Sequence, residues 1–152
     1  MANPLVLGLL IICLTLGHGP APGWSTPNDL AEASSLHEQV KQLHRAGQFR
    51  QALPLAQKSL QIRYKELGPE HPDVAASLTV LGLLYQDLGS LDEALPLLQR
   101  ALQIRFKALG DSHPETAASL ANLGELYRLK LSLDEALPLL ERALRLRERG
   151  PG

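Results

Sequence analysis

The histidines are the residues of this sequence best suited to bind a metal ion. His37 and His44 are seven residues apart on one predicted helix, which separates them by about 10 Å along its axis. A zinc ion lies about 2 Å from each ligand and cannot bridge that distance. His71 and His113 stand at equivalent positions of an internal repeat, so the usual spacing of packed helices places them roughly 16–20 Å apart. The sequence therefore predicts no metal site.

The carboxylates and arginines do not form a catalytic pattern either. Two pairs of neighbouring acids lie at the starts of predicted helices, where acids stabilise exposed backbone amides: Asp92 with Glu93, and Asp134 with Glu135. The chain has no nucleophile motif, phosphate-binding glycine loop or HExxH sequence. Acids interrupt the arginines near residues 142–149, which is typical of a solvated helix surface rather than a phosphate or membrane patch. We expect no enzymatic activity, no cofactor and no small-molecule substrate.

The composition favours one helical domain. The 152 residues carry 15 basic and 16 acidic side chains, and a net charge of −1 gives no strong attraction to nucleic acid or an anionic membrane. Hydrophobic residues make up 45% of the chain, which is enough for a core. Leucine and alanine predominate over aromatic residues, a choice that suits helices better than strands.

The N-terminal region differs from the rest of the chain. Residues 5–16 form an uncharged apolar run, too short to span a bilayer as a helix but of the length found in secretory signal peptides. We expect residues 1–23 to be a signal peptide or hydrophobic leader, with cleavage before Trp24, followed by a linker over residues 24–29. Cleavage would place the protein in the secretory lumen or outside the cell; an uncleaved leader would leave it cytoplasmic. Cys13 is the single cysteine, so no intramolecular disulfide can form.

A long internal repeat determines the predicted fold. Residues 68–109 and 110–151 are identical at 24 of 42 positions without a gap. A fainter copy lies upstream, where residues 49–63 align with residues 91–105. Periods of this length indicate stacked supersecondary units, each of which buries its apolar face against its neighbours.

Each unit is predicted to contain two helices. Apolar residues recur three or four positions apart after Pro72 and again after Ser90. Residues 90–93 read as a capping box. In this motif the Ser90 side chain accepts a hydrogen bond from the amide of Glu93, and the Glu93 side chain accepts one from the amide of Ser90. The same motif recurs at Ser132. Pro96 and Pro138 lie early in the second helices, where we expect kinks.

Glycine at one position of both first helices indicates a close helix contact. Glycine inside a helix costs about 1 kcal/mol relative to alanine, so its use at Gly82 and Gly124 calls for a neighbour too near for a side chain. Ala94 and Ala136 are the expected small partners on the second helices.

These features resemble the tetratricopeptide repeat, in its 42-residue kinesin-light-chain-like variety. The resemblance implies an all-α fold, a right-handed solenoid of about three antiparallel helix pairs. It assigns a degenerate first repeat to residues 30–67, a second to 68–109, a third to 110–149 and a tail to 150–152. The residues that match the family signature most clearly include Gly82, Tyr85, Ala94, Ala101, Gly124, Tyr127, Ala136 and Ala143.

The resemblance also implies a concave groove that is lined by the first helix of each pair and holds a partner's peptide or helix. Carried over by position, the candidates for groove contacts are Thr79, Leu83, Gln86, Asp87, Asn122, Glu125, Arg128, Lys41 and His44. The predicted function is therefore a non-catalytic interaction module or scaffold for a protein partner. The alternative is a structural, self-associating or truncated repeat protein that assembles through an uncapped C-terminal helix pair.

Overall fold

The structure, a computed structural model, describes residues 29–149, and six helices account for most of them. No strand occurs in this range. The expected leader, most of the linker and the tail from residue 150 onward lie outside the described residues. The helices are α1 (Asp29–Arg45), α2 (Phe49–Leu67), α3 (Pro72–Asp87), α4 (Leu91–Leu109), α5 (Pro114–Leu129) and α6 (Leu133–Arg149).

The helices pack in chain order and form three consecutive units. The first unit contains α1 and α2, the second α3 and α4, and the third α5 and α6. Contacts are most extensive within each unit, and the second helix of one unit packs on the first helix of the next. This all-α solenoid of helix pairs confirms the predicted fold class, because each apolar face is buried by a neighbour in sequence.

The turns within the units share one backbone arrangement. The amide of Ser90 donates to the carbonyl of Tyr85 at 2.8 Å, and the equivalent bonds from Gln48 and Ser132 measure 2.9 Å. These bonds, from the third residue after the helix back to its last turn, are those of a Schellman motif. The residue before each donor has positive φ: it is glycine in the first two units, but Leu131, at +60°, in the third.

The predicted capping box is wrong at Ser90. Ser90 precedes α4, but its side chain makes no capping hydrogen bond. Its ψ of 67° departs from the extended backbone that normally aims an N-cap side chain at the helix amides. The Schellman turn fixes this backbone, so the sequence pattern could not produce the usual cap.

Histidines cap the first helices of the second and third units instead. His71 has extended backbone, and its Nδ1 accepts the amide of Asp73 at 3.1 Å. His113 repeats the arrangement with the amide of Glu115 at 3.2 Å. Pro72 and Pro114 follow at the first helical position. An amide there would have no partner within the helix, so proline loses no helical hydrogen bond.

Replacing His113 by alanine is expected to lower the free energy of unfolding by about 1 kcal/mol, the usual effect of losing an N-cap side chain. Asparagine at the same position should retain most of the stability, since its side-chain oxygen can accept the same amide. Urea denaturation of the three proteins measures the difference. Equal stability of the alanine and histidine proteins would show that the ring nitrogen contributes nothing as a cap.

Gly82 and Gly124 lie in the contact between the two helices of a unit. A Cβ atom on Gly82 would lie 2.8 Å from Cδ2 and 2.9 Å from Cγ of Leu98. At Gly124 the same two atoms of Leu140 would both lie at 2.8 Å. The expected alanine partners are therefore corrected: the leucine side chains are nearest, and Ala94 and Ala136 contribute carbonyl oxygens at 3.5 and 3.4 Å.

A buried arginine joins each unit to the next. Arg63 on α2 donates through Nη1 to Oγ of Ser77 on α3 at 2.9 Å. Arg105 on α4 repeats this bond to Ser119 on α5 at 2.6 Å. Both arginines are buried, with at most 8% of their surface exposed. The repeat therefore carries a polar contact from unit to unit as well as an apolar core.

Candidate functional site: a peptide groove

Three of the predicted groove residues line one shallow pocket between the first two units. Lys41 and His44 come from α1, and Leu83 comes from α3. Arg45 and Val80 complete the lining of a cavity of about 170 Å³. The pocket has an apolar wall on α3 and cationic or titratable side chains on α1, so it can hold an apolar group that lies beside a negative charge.

Side-chain contacts border the polar side of this pocket. His44 Nε2 lies 2.7 Å from Oδ2 of Asp87, a contact that links the first helices of two units. The His44 ring also meets Phe49 edge to face, with 5.4 Å between centroids. Lys41 donates to Glu38 at 2.8 Å, and this bond holds the pKa of the Glu38 carboxyl below its ordinary value.

The half-buried His37 lies one helical turn before Lys41 on α1. Burial lowers the pKa of its imidazole, and the positive charges of Arg63 and Lys41 act in the same direction. The neutral ring is therefore favoured near neutral pH, which makes His37 a hydrogen-bonding group rather than a cation at this end of the groove.

The third unit supplies a second polar group. Arg128 donates through Nε and Nη2 to the two carboxylate oxygens of Glu125, at 2.8 and 2.5 Å. The bond lowers the pKa of the Glu125 carboxyl and raises that of the Arg128 guanidinium. Asn122 lies about one turn before Glu125 on α5, and Gln86 lies on α3. Both side chains are partly buried. These residues do not line the pocket formed by Lys41, His44 and Leu83.

Thr79 is not a groove residue as predicted. It is buried, its hydroxyl donates to the carbonyl of Ala75 at 2.9 Å, and it accepts a hydrogen bond from Arg105 Nη1 at 3.1 Å. Transfer by repeat position placed Thr79 on the open side of α3. The arginine that approaches it comes from α4, 26 residues away in sequence, which no local pattern shows.

Arg105 is the polar residue of greatest structural consequence that the sequence analysis missed. Its Nε lies 3.2 Å from Oε2 of Glu115, without the alignment of a hydrogen bond. Burial lowers the pKa of the guanidinium, and the Glu115 carboxylate opposes that shift. A signal was present in the sequence: arginine recurs at positions 63, 105 and 147, and serine recurs with the same period at positions 77 and 119.

A larger and more open cavity of about 530 Å³ lies outside the groove on α2, lined by Gln57, Leu60, Gln61, Tyr64 and Lys65. Between residues 29 and 149, no three His, Cys, Asp or Glu side chains converge as a metal ion would require. None of the six helices is both long and apolar enough to cross a membrane.

The repeat geometry has a counterpart in sequence. A sequence model of the family described as tetratricopeptide repeat matches residues 31–105 and 81–149, and together these ranges cover nearly all of the described residues. The chain belongs to the tetratricopeptide repeat family. No curated protein sequence matches the chain.

Solved structures of tetratricopeptide repeat proteins share the fold. Two crystal structures show nearly identical TPR-like repeats of a Podosopora anserina protein described as a kinesin light chain, one of them a single-residue variant. They are 30% and 29% identical to this chain, with a TM-score of 0.74, and the match covers 82% of this chain and 58% of theirs. They support assignment to the kinesin-light-chain-like variety of tetratricopeptide repeats.

A third solved structure is also similar. BtubC (BKLC) from P. vanneervenii is 24% identical, with a TM-score of 0.70 over 79% of this chain and 50% of that one. At this identity the similarity concerns the fold alone. The chain thus spans only 50–58% of the lengths of these proteins.

Proposed function

We propose that this chain binds a segment of a partner protein in the groove lined by α1, α3 and α5, and that it acts without catalysis. Tetratricopeptide repeats generally mediate protein–protein interaction or scaffolding, and their fold is typically non-catalytic. The observation that supports the groove is the pocket in which Lys41, His44 and Leu83 meet. Two units contribute to it, so the stack itself creates the binding surface.

The lining of the pocket indicates the chemistry of the bound segment. Val80 and Leu83 provide an apolar wall, and Arg45 is an exposed cation beside it. An apolar side chain removed from water there gains free energy in proportion to its buried area. A neighbouring carboxylate on the ligand would meet Arg45, since Lys41 is already paired with Glu38. We therefore expect a segment in which an apolar residue lies next to an acidic one.

Site-directed photo-crosslinking tests the groove. A benzoylphenylalanine at position 83 is expected to crosslink to peptides that are selected for binding to the full chain. The matched control carries the same group at Tyr64, which is 52% exposed on α2 and does not line the pocket. Crosslinking at 64 and not at 83 would contradict the groove.

Affinity measurements provide the complementary test. Leu83→Glu is expected to weaken binding of the selected peptides by at least about tenfold, since it places a charge in an apolar contact at the centre of the site. Tyr64→Glu should leave the affinity unchanged. Equal affinities for both variants and the unsubstituted chain would contradict binding at this pocket.

Self-association is the second candidate function. Its support is the exposed leucines on α6, of which Leu137 is 60% and Leu144 57% exposed. Static light scattering distinguishes the two functions. A concentration-dependent oligomer that is indifferent to Asn122→Ala and Arg128→Ala would favour self-association, whereas a monomer that binds peptides through position 83 would favour the groove.

A further inference from the structure

The outer strip of α6, defined as Leu133, Leu137, Leu144 and Arg147, is an apolar surface separate from the groove. Its three leucines are 57–63% exposed, and Arg147 is exposed as well. Among the described helices, α5 is the one that packs extensively on α6, and it covers Ala136 and Ala143 on another side. The strip therefore presents leucines at helical spacing with nothing from residues 29–149 over them.

The same positions one repeat earlier show what such a strip binds. Leu91, Leu95 and Leu102 on α4 are the repeat equivalents of the three leucines of α6. They pack against the buried cluster that contains Leu123 and Leu126 of α5. Arg105 corresponds to Arg147, and it bonds Ser119 of α5. The α4–α5 junction is thus an internal example of the interface that the outer strip can form.

Polar residues beside the strip extend the comparison. On α4, Asp92 pairs with Lys130, which directly follows α5, and Gln99 donates to the Tyr127 hydroxyl at 3.1 Å. The equivalent residues on α6 are Asp134 and Glu141, both acidic and exposed. A helix bound on α6 would therefore meet two carboxylates. Asp134 favours a basic residue at the position that corresponds to Lys130, and Glu141 favours a hydroxyl donor at the position that corresponds to Tyr127.

A second copy of the chain matches these requirements less well than a helix that resembles α5. The helix that would stack head to tail is α1, which has Ser35, Gln39 and Gln42 where α3 has Ser77, Leu81 and Leu84. All three α1 residues are exposed, so this face is polar. Two α6 helices packed antiparallel about a two-fold axis would bring Glu141 of each copy together, and residues 133–149 contain no hydroxyl residue to take the roles of Ser119 and Tyr127. Both arrangements lack the partners that α5 gives to α4.

We propose that the outer strip of α6 binds an amphipathic helix of a partner protein whose contact face resembles that of α5. Such a helix begins its contact face with a hydroxyl residue that accepts a hydrogen bond from Arg147. Apolar residues four and seven positions after the hydroxyl residue pack on the leucines of the strip. A basic residue eleven positions after it pairs with Asp134. This spacing is that of Ser119, Leu123, Leu126 and Lys130. The proposal concerns the outer strip of α6 and does not depend on the groove.

A fluorescent peptide with the sequence of residues 114–130 is the probe, titrated into the full chain. It is expected to bind, and Leu144→Glu should weaken binding by at least about tenfold, since a charge would replace a central apolar contact. Leu30→Glu is the matched control, because Leu30 is also a partly exposed leucine (39%) but lies on α1 at the other end of the stack. Failure of the peptide to bind would overturn the proposal. Equal binding to the Leu144→Glu protein would also overturn it, because the peptide would then have replaced α5 within the stack rather than bound to the outer strip.

A charge reversal tests the predicted orientation. The peptide with Lys130→Glu should bind the unsubstituted chain more weakly, and Asp134→Lys in the chain should restore its affinity. Nonspecific attraction to leucines would show no such restoration, and that result would contradict the proposed register.

Sedimentation of the chain without peptide completes the test: an oligomer abolished by Leu144→Glu would identify a second copy as the occupant instead. Leu83→Glu should leave peptide binding at α6 unchanged, so this proposal and the groove can fail separately.

Discussion

Replacing Gly82 by leucine is expected to lower the free energy of unfolding by about 3 kcal/mol, the upper end of the usual cost of overpacking a core. Even a Cβ atom there would lie 2.8 Å from Leu98 Cδ2, and Leu98 is itself 2% exposed and cannot turn outward. The larger side chain must therefore separate α3 from α4. Chemical denaturation with a two-state fit measures the change.

Alanine at position 82 isolates the steric effect from helix propensity. Alanine favours a helix by about 1 kcal/mol over glycine, so a stabilised Gly82→Ala protein would contradict the close contact. If the contact is as the structure shows, Gly82→Ala destabilises. Combining it with Leu98→Ala should then cost less than the sum of the two single substitutions, because the second removes the atoms that the first would meet.

Replacing Arg105 by alanine is expected to lower the free energy of unfolding by about 2–3 kcal/mol. The substitution removes charged hydrogen bonds to Ser119 and Thr79 and leaves both hydroxyls in a buried junction. Arg147→Ala is the matched control, because Arg147 occupies the same repeat position but is exposed on α6. Its effect should stay within about 0.5 kcal/mol, as for most surface substitutions.

The two arginine variants distinguish position in the stack from residue type. Both remove the same side chain from the same register of a second helix. The two sites differ in whether another unit covers the arginine, and in the first-helix residue beside it, which is Thr79 for Arg105 and Ala121 at the equivalent position for Arg147. Equal losses of stability would show that the bonds of Arg105 to Thr79 and Ser119 do not contribute, and that the arginine acts only within its own helix.

The helix pairs could be predicted from sequence because their causes are local and repeated. A long repeat with apolar spacing of three and four specifies two helices per unit, and Gly82 and Gly124 mark the close contact. The prediction at Ser90 failed for a tertiary reason. The Schellman turn sets the Ser90 backbone at ψ 67°, and a capping motif in sequence carries no information about that angle.

The polar junctions could not be derived from single helices. Arg105 reads as one more solvated arginine until α3 and α5 are placed against α4, and only then does Thr79 on α3 become its buried acceptor rather than a groove residue. His44 and Asp87 are 43 residues apart, and their contact depends on how two first helices lie side by side. Sequence analysis identified the helix that carries each groove candidate but not the partners of those residues in the neighbouring unit.

Hydrogen exchange on the Arg105→Ala protein tests most directly whether the molecule is a stack of units held by their junctions. In a solenoid, stability is carried by contacts between neighbours, so weakening the junction between α4 and α5 should release the third unit first. We predict faster amide exchange in α5 and α6, with α1 and α2 close to the unsubstituted protein. A uniform increase across all six helices would contradict the account, because it would mean that the chain unfolds as one body without separable junctions.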